Sequence, residues 1–288
     1  MRPSQRFLYF SSICHLPKNL GMFIIGGADA DDNFSKRNTY FSRYQRFVEK
    51  APMLFKRAFF PSIFNVSDSC VYVFGGSNGD HDLNHAERYS IVDNTWQQIA
   101  PMSMRRNGAS CVAFEKYIFV FGGNELDVGS LDSIEKYSID TDKWTIARVR
   151  LREPVHDTVA FNLGGSRVLI FGGNVNGQIN SHFDVYDLTC DMLGPQETKF
   201  EASKVFLPPV FDSSSGQLHC YEGYGDTDLT HAKLNIKSLI CDCRDRGMQL
   251  VLPSQAGADK KIVRTNSGRV LIMSRARAEM QQRRLNRS

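Results

Sequence analysis

Four apolar runs in this sequence end in paired glycines, at nearly even spacing. They are MFIIGG ending at Gly26–Gly27, VYVFGG at Gly75–Gly76, IFVFGG at Gly122–Gly123 and VLIFGG at Gly172–Gly173, with first glycines 49, 47 and 50 residues apart. A period of this size means one supersecondary unit built repeatedly, with each unit burying its apolar face against the next. A polar loop follows each pair, then two large side chains seven residues apart: Tyr40 and Phe47, Tyr89 and Trp96, Tyr137 and Trp144, Tyr186 and Leu193. At a constant offset of 49, Ala51-Pro52-Met53 falls on Ala100-Pro101-Met102, and Lys56-Arg57 on Arg105-Arg106. Chance does not produce such a match.

Each unit holds four short strand candidates. In the second unit they cover 58–65, 70–75, 86–92 and 95–99, and are designated a to d from the axis outward. Strand b is continuously apolar rather than alternating, so both of its faces must be buried. Radially stacked four-stranded sheets, a β-propeller, satisfy that demand. The glycine pair permits a sharp turn at positive φ where blades crowd. The Tyr and Trp positions are expected to pack between blades.

The diglycine, the spaced Tyr and Trp and the period near 50 resemble the kelch family. WD40 repeats are shorter, at about 40–45 residues, and no Trp-Asp dipeptide occurs here. The resemblance is clear over residues 20–190 and implies an all-β kelch propeller. Strand b of a fifth unit is expected at Leu218–Tyr221, with Gly223 and Gly225 in place of the pair. A sixth is expected at Arg269–Met273, with Ser274 in the glycine position. Ser12-Ile13-Cys14 matches Ser62-Ile63-Phe64, so residues 7–14 read as strand a of the first blade and not as a signal peptide. The expectation is six blades with the last incomplete, a propeller over 1–274 and an Arg-rich tail over 275–288. Either the ring closes on a two-stranded blade or the true boundary lies beyond this chain.

Charge narrows the function. The formal charge is +4 over 288 residues, and the tail, with five arginines against one glutamate, accounts for all of it. The balanced body argues against nucleic acid as a partner. No apolar stretch approaches a membrane span, and an odd count of 7 cysteines suits reduced thiols in a cytoplasmic protein. The tail has strong helix formers and no β-branched residue, so it reads as helical or disordered.

The chemistry of catalysis is thin. Kelch-like oxidases, by resemblance, use copper ligands converging from several blades, but the seven histidines hold no equivalent repeat positions. Cys241 and Cys243 are closer together than zinc ligands usually are. The loop acids Asp29, Asp31 and Asp32, then Asp80 and Asp82, then Glu125, Asp127 and Asp132 lack the calcium-loop pattern and read as solvated carboxylates. His81 and His85 belong to a polar loop. No nucleophile triad or phosphate loop is present. The expectation is no catalytic residue, no metal and no cofactor.

In kelch propellers the d-to-a and b-to-c loops share one face, with the d-to-a loops nearer the axis. Here the d-to-a loops are basic and the b-to-c loops acidic. Lys56, Arg57, Arg105, Arg106 and Arg152 are therefore the candidate partner-binding residues, gripping an acidic or phosphorylated protein segment through charge-assisted bonds. The resemblance implies a non-enzymatic interaction scaffold, with substrate recognition in a ubiquitin ligase one setting. Actin-type cytoskeletal binding is an alternative, and a kelch-fold epimerase or oxidase the rival from another class. No BTB-like or F-box-like helical segment precedes the repeats, so a ligase role would call on a separate adaptor.

Overall fold

The computed structural model describes residues 8–17, 20–29, 31–42, 44, 46–180, 182–194, 210–212, 217–222, 230–235, 260–264 and 270–274. Four complete antiparallel sheets follow one another along the chain, each with strand order a-b-c-d. The first holds β1 (Ser12–His15), β2 (Gly21–Ile25), β3 (Asn38–Ser42) and β4 (Phe47–Glu49). The second holds β5 (Ser62–Asn65), β6 (Cys70–Phe74), β7 (Ala86–Ser90) and β8 (Thr95–Ile99). The third, β9 (Ser110–Phe114), β10 (Tyr117–Phe121), β13 (Ile134–Ser138) and β14 (Lys143–Ile146), carries a ribbon of β11 (Asn124–Glu125) and β12 (Gly129–Ser130) in its b-to-c loop. The fourth repeats that plan with β15 (Val159–Gly164), β16 (Arg167–Phe171), β19 (Phe183–Asp187) and β20 (Met192–Leu193), its ribbon being β17 (Asn174–Val175) and β18 (Gln178–Ile179). The a strands touch in sequence, β1 to β5, β5 to β9 and β9 to β15. They are the innermost strands of four propeller blades.

Burial follows the sequence logic. All five residues of β6 are buried, as a strand stacked on both faces requires. Apolar clusters fill the seams between blades. Phe23, Ile25 and Met53 meet Val71, Val73, Tyr89 and Trp96 between the first and second. Tyr72, Phe74 and Ile99 meet Ile118, Val120 and Tyr137 between the second and third. Both tryptophans lie in these seams, and each indole N–H donates across one: Trp96 to the Ala51 carbonyl at 2.8 Å and Trp144 to the Ala100 carbonyl at 2.7 Å.

A second stitch recurs beside them. The hydroxyls of Tyr89, Tyr137 and Tyr186 donate to Asn94, Asp142 and Asp191. The same three side chains accept the backbone N–H of Ala51, Ala100 and Arg148 from the preceding loop. All three sit at positive φ, between 51 and 54°. Asn and Asp tolerate that conformation and supply the acceptor oxygen, which explains the residue type at the c-to-d turn.

The expected start of strand a moves inward, from 58 to Ser62. Ala58 instead bridges Ser77, and Phe59 adopts φ 57°, so the chain is held in the loop layer before the strand begins. The diglycines behave as expected, with Gly75 and Gly76 at φ 60 and 89°. A Cβ on Gly75 would lie 2.3 Å from the Arg106 carbonyl of the next loop. Gly75→Ala is therefore expected to destabilise by ~1–3 kcal/mol, read as a lower urea midpoint at unchanged m-value.

Beyond the fourth blade, β21 (Val210–Asp212), β22 (Gln217–Glu222) and β23 (Thr230–Asn235) form a three-stranded sheet. β24 (Lys260–Arg264) pairs with β25 (Val270–Ser274). The expected fifth b strand lies within β22 and the sixth overlaps β25. Gly223, Gly225, Cys241, Cys243 and the 275–288 tail lie outside the described residues. No helix among the described residues is long and apolar enough to cross a membrane.

Candidate functional site on the loop face

Backbone pairing draws the two loop sets onto one face. Isolated bridges join Tyr9 to Ala28, Ala58 to Ser77, Asn107 to Asn124 and His156 to Asn174, each linking the segment before strand a to the b-to-c loop of its own blade. Closer to the axis runs a belt of backbone hydrogen bonds. The N–H of Asp157 donates to Gly108 at 2.7 Å, that of Gly108 to Phe59 at 2.7 Å, and that of Phe59 to Phe10 at 3.3 Å. All four belt residues have positive φ, between 54 and 59°.

Arg57 and Arg106 lie behind this belt, fully buried. The carbonyl of each accepts the second diglycine N–H of the preceding blade, Gly27 and Gly76, at 2.8 Å. Each side chain turns into its own blade. Arg57 donates to the carbonyls of Gly75 (2.6 Å) and His85 (3.1 Å) and pairs with Glu87 at 2.6 Å. Arg106 donates to the Gly122 and Ser133 carbonyls and the Ser133 hydroxyl, and pairs with Glu135 at 2.8 Å. Burial lowers both guanidinium pKa values, against the pull of the paired glutamate. The glutamates also accept backbone N–H groups, Glu87 from Leu54 and Phe55, Glu135 from Ser103 and Met104.

These contacts correct the expectation that the Arg57 and Arg106 side chains reach out to a partner segment. They hold the incoming loop to the blade, with the charge-assisted bonds that a guanidinium fork supplies. Glu87 and Glu135, which sequence reasoning overlooked, are matched acids at the second position of strand c, in AERYS and IEKYS.

The fourth blade solves the same problem differently. Val155 stands where the arginine would be, yet its carbonyl still accepts the Gly123 N–H at 2.8 Å. Asp184 replaces the glutamate, and Arg152, three residues earlier, supplies the cation, its guanidinium bonding Asp184 and the Gly194 carbonyl. Asn180 Nδ2 caps the Gly172 carbonyl at 3.2 Å. Beside Val155 and Phe183 remains a recess of only 30 Å³.

Lys56 and Arg105 are exposed on the face. Lys56 stands 3.9 Å from Asp80, and Arg150 pairs with Asp132 at 2.6 Å, so loop acids partly neutralise the basic ring. The structure thus leaves Lys56 and Arg105 open, Arg152 partly open, and Arg57 and Arg106 closed. The Asp29 carboxylate is taken up by its own turn, accepting from the N–H groups of Asp31 and Asn33. No group of three or more potential ligands that could hold a metal occurs among the described residues.

The motif comparison decides what these repeats are. The Kelch motif model matches residues 64–103 and 105–148, which span most of the second and third blades. The second and third blades are kelch repeats. Kelch-like protein 25 of Xenopus tropicalis is 26% identical over 163 residues, 53% of this chain and 27% of that protein. A RING finger domain and kelch repeat-containing protein of Dictyostelium discoideum is 30% identical over 129 residues, 43% of this chain and 13% of its own length. Kelch-like protein 7 of Mus musculus is 37% identical over 82 residues, 28% of this chain and 14% of that protein. The kelch-repeat chain therefore spans about a quarter or less of each relative's length.

Proposed function

We propose that the chain is a non-enzymatic protein-interaction platform that holds an acidic or phosphorylated segment of a partner protein on its loop face, in the cytoplasm. The observation that carries this reading is the pair of exposed cations, Lys56 and Arg105, standing one blade apart on the face where both loop sets converge. Arg152, with its side chain 28% exposed, would contribute at the edge. Arg57 and Arg106, being buried, stand behind this contact and not in it. Substrate recognition for a ubiquitin ligase is the setting we favour, supported by the relative whose name joins a RING finger to kelch repeats. We also take the ring to be six-bladed with a short last blade, a reading supported by β22 and β25 at the expected b-strand positions, and the propeller to end near 274.

The test is capture of partners from native extract by the full chain. Lys56→Ala with Arg105→Ala is expected to lose most captured protein while keeping the wild-type circular dichroism spectrum. Rim cations are worth less than buried ones, so the double change is needed to pass the loss of about tenfold that a pull-down resolves. Full retention of every partner would remove these residues from the interface.

A further inference from the structure

The belt nearest the axis carries side chains unlike the basic ring around it. On the first two blades these are Phe10 and Phe59, whose rings stack at 4.1 Å with 27° between planes. Phe10 is 40% exposed, and Tyr9 beside it is 55% exposed, its ring 6.5 Å from that of Phe10. On the third blade the belt residue is Gly108, which adds no side chain. On the fourth it is Asp157, with its side chain 43% exposed. The carboxylate leans back over Gly108, for a Cβ there would lie 2.5 Å from Asp157 Oδ1. An aromatic pair and a carboxylate therefore stand on one backbone ladder with only a glycine between them. Aromatic faces attract cations through the ring quadrupole, and a nearby carboxylate adds direct charge.

We propose that the mouth of the propeller is a cation site that takes one arginine or lysine side chain of the bound segment, lying over the Phe10–Phe59 stack and against Asp157. This rests on the reading that the loop face grips a partner segment, and it adds that the segment carries a basic residue at its centre. Charge complementarity favours this occupant. An acidic side chain at the mouth would face Asp157, while Lys56 and Arg105 lie outside the belt, in the loops that flank it. His156 stands beside Asp157, with Nε2 4.0 Å from the carboxylate and Nδ1 held at 2.8 Å from the Ser130 hydroxyl.

The test uses four fluorescein-labelled nonapeptides, with arginine or alanine at the centre and glutamates or alanines around it, titrated against the full chain by fluorescence polarisation. The glutamate-flanked arginine peptide is expected to bind tightest, and a central alanine to cost about tenfold. Asp157→Asn and Phe59→Leu should each erase the advantage of the central arginine while keeping that of the flanking glutamates. Lys56→Ala with Arg105→Ala should do the reverse. Equal binding of arginine- and alanine-centred peptides, or an arginine advantage that survives Asp157→Asn, overturns the cation site. An arginine preference without any glutamate preference would leave the cation site standing and overturn the acidic-segment reading. If none of the four peptides binds, both readings fall.

Discussion

Arg106→Met is expected to destabilise the propeller by ~3–5 kcal/mol, because it strands Glu135 as a buried charge. Glu135 is fully buried, and among the described residues its cationic partner is the Arg106 guanidinium. The change also orphans the Gly122 carbonyl, which Arg106 caps at 2.5 Å. Adding Glu135→Gln removes the stranded charge and keeps one carbonyl oxygen, enough for the N–H of Ser103, whereas the two carboxylate oxygens serve Ser103 and Met104 separately. The double variant should recover much of the loss, since a buried pair barely repays its own desolvation. The Nε of Arg106 is buried without a hydrogen-bond partner, which further reduces what the intact pair contributes. Urea denaturation of wild type, both single variants and the double variant gives the coupling directly. Losses that simply add would mean that the two side chains do not act as a pair.

Trp96→Ala is expected to cost ~3–5 kcal/mol, the range for removing a large aromatic from a packed core. Trp96 is 9% exposed, packs 5.1 Å from Tyr89 and anchors the seam between the first two blades. Trp96→Phe keeps a ring in the seam but loses the bond to the Ala51 carbonyl, for a smaller loss of about 1 kcal/mol plus packing. Trp144 is less buried, and its removal should cost less than that of Trp96. Thermal unfolding followed by far-ultraviolet circular dichroism ranks the three. A wild-type transition for Trp96→Ala would mean that this seam is not a cooperative part of the fold.

What was legible in the sequence was whatever had to recur as a side chain. The diglycines, the Tyr and Trp seams and the continuous b strands all depend on residue type, so the period exposed them and gave four blades with correct strand order. The belt depends on backbone alone. Phe10, Phe59, Gly108 and Asp157 share a positive φ and a ladder of N–H to carbonyl bonds, but no side-chain chemistry, so no repeat signal marks them. The fate of the arginines was illegible for a different reason. A basic residue before an inner strand looks the same whether it faces solvent or a buried glutamate. Only the pairing of Arg57 with Glu87 and Arg106 with Glu135, about 30 residues along the chain in each case, separates the two. The fourth blade shows the same constraint met by another route, with Arg152 and Asp184 replacing the missing arginine and glutamate.

The division of the cations into buried stitches and exposed contacts is tested most directly by partner capture with the Arg106→Met/Glu135→Gln double variant. That variant removes a nominated cation from the loop region without exposing a new charge. Capture from native extract should match wild type once the variant is shown to be folded, whereas Lys56→Ala with Arg105→Ala should lose it. A folded double variant that captures nothing would contradict this division, and would place Arg106 in the interface after all.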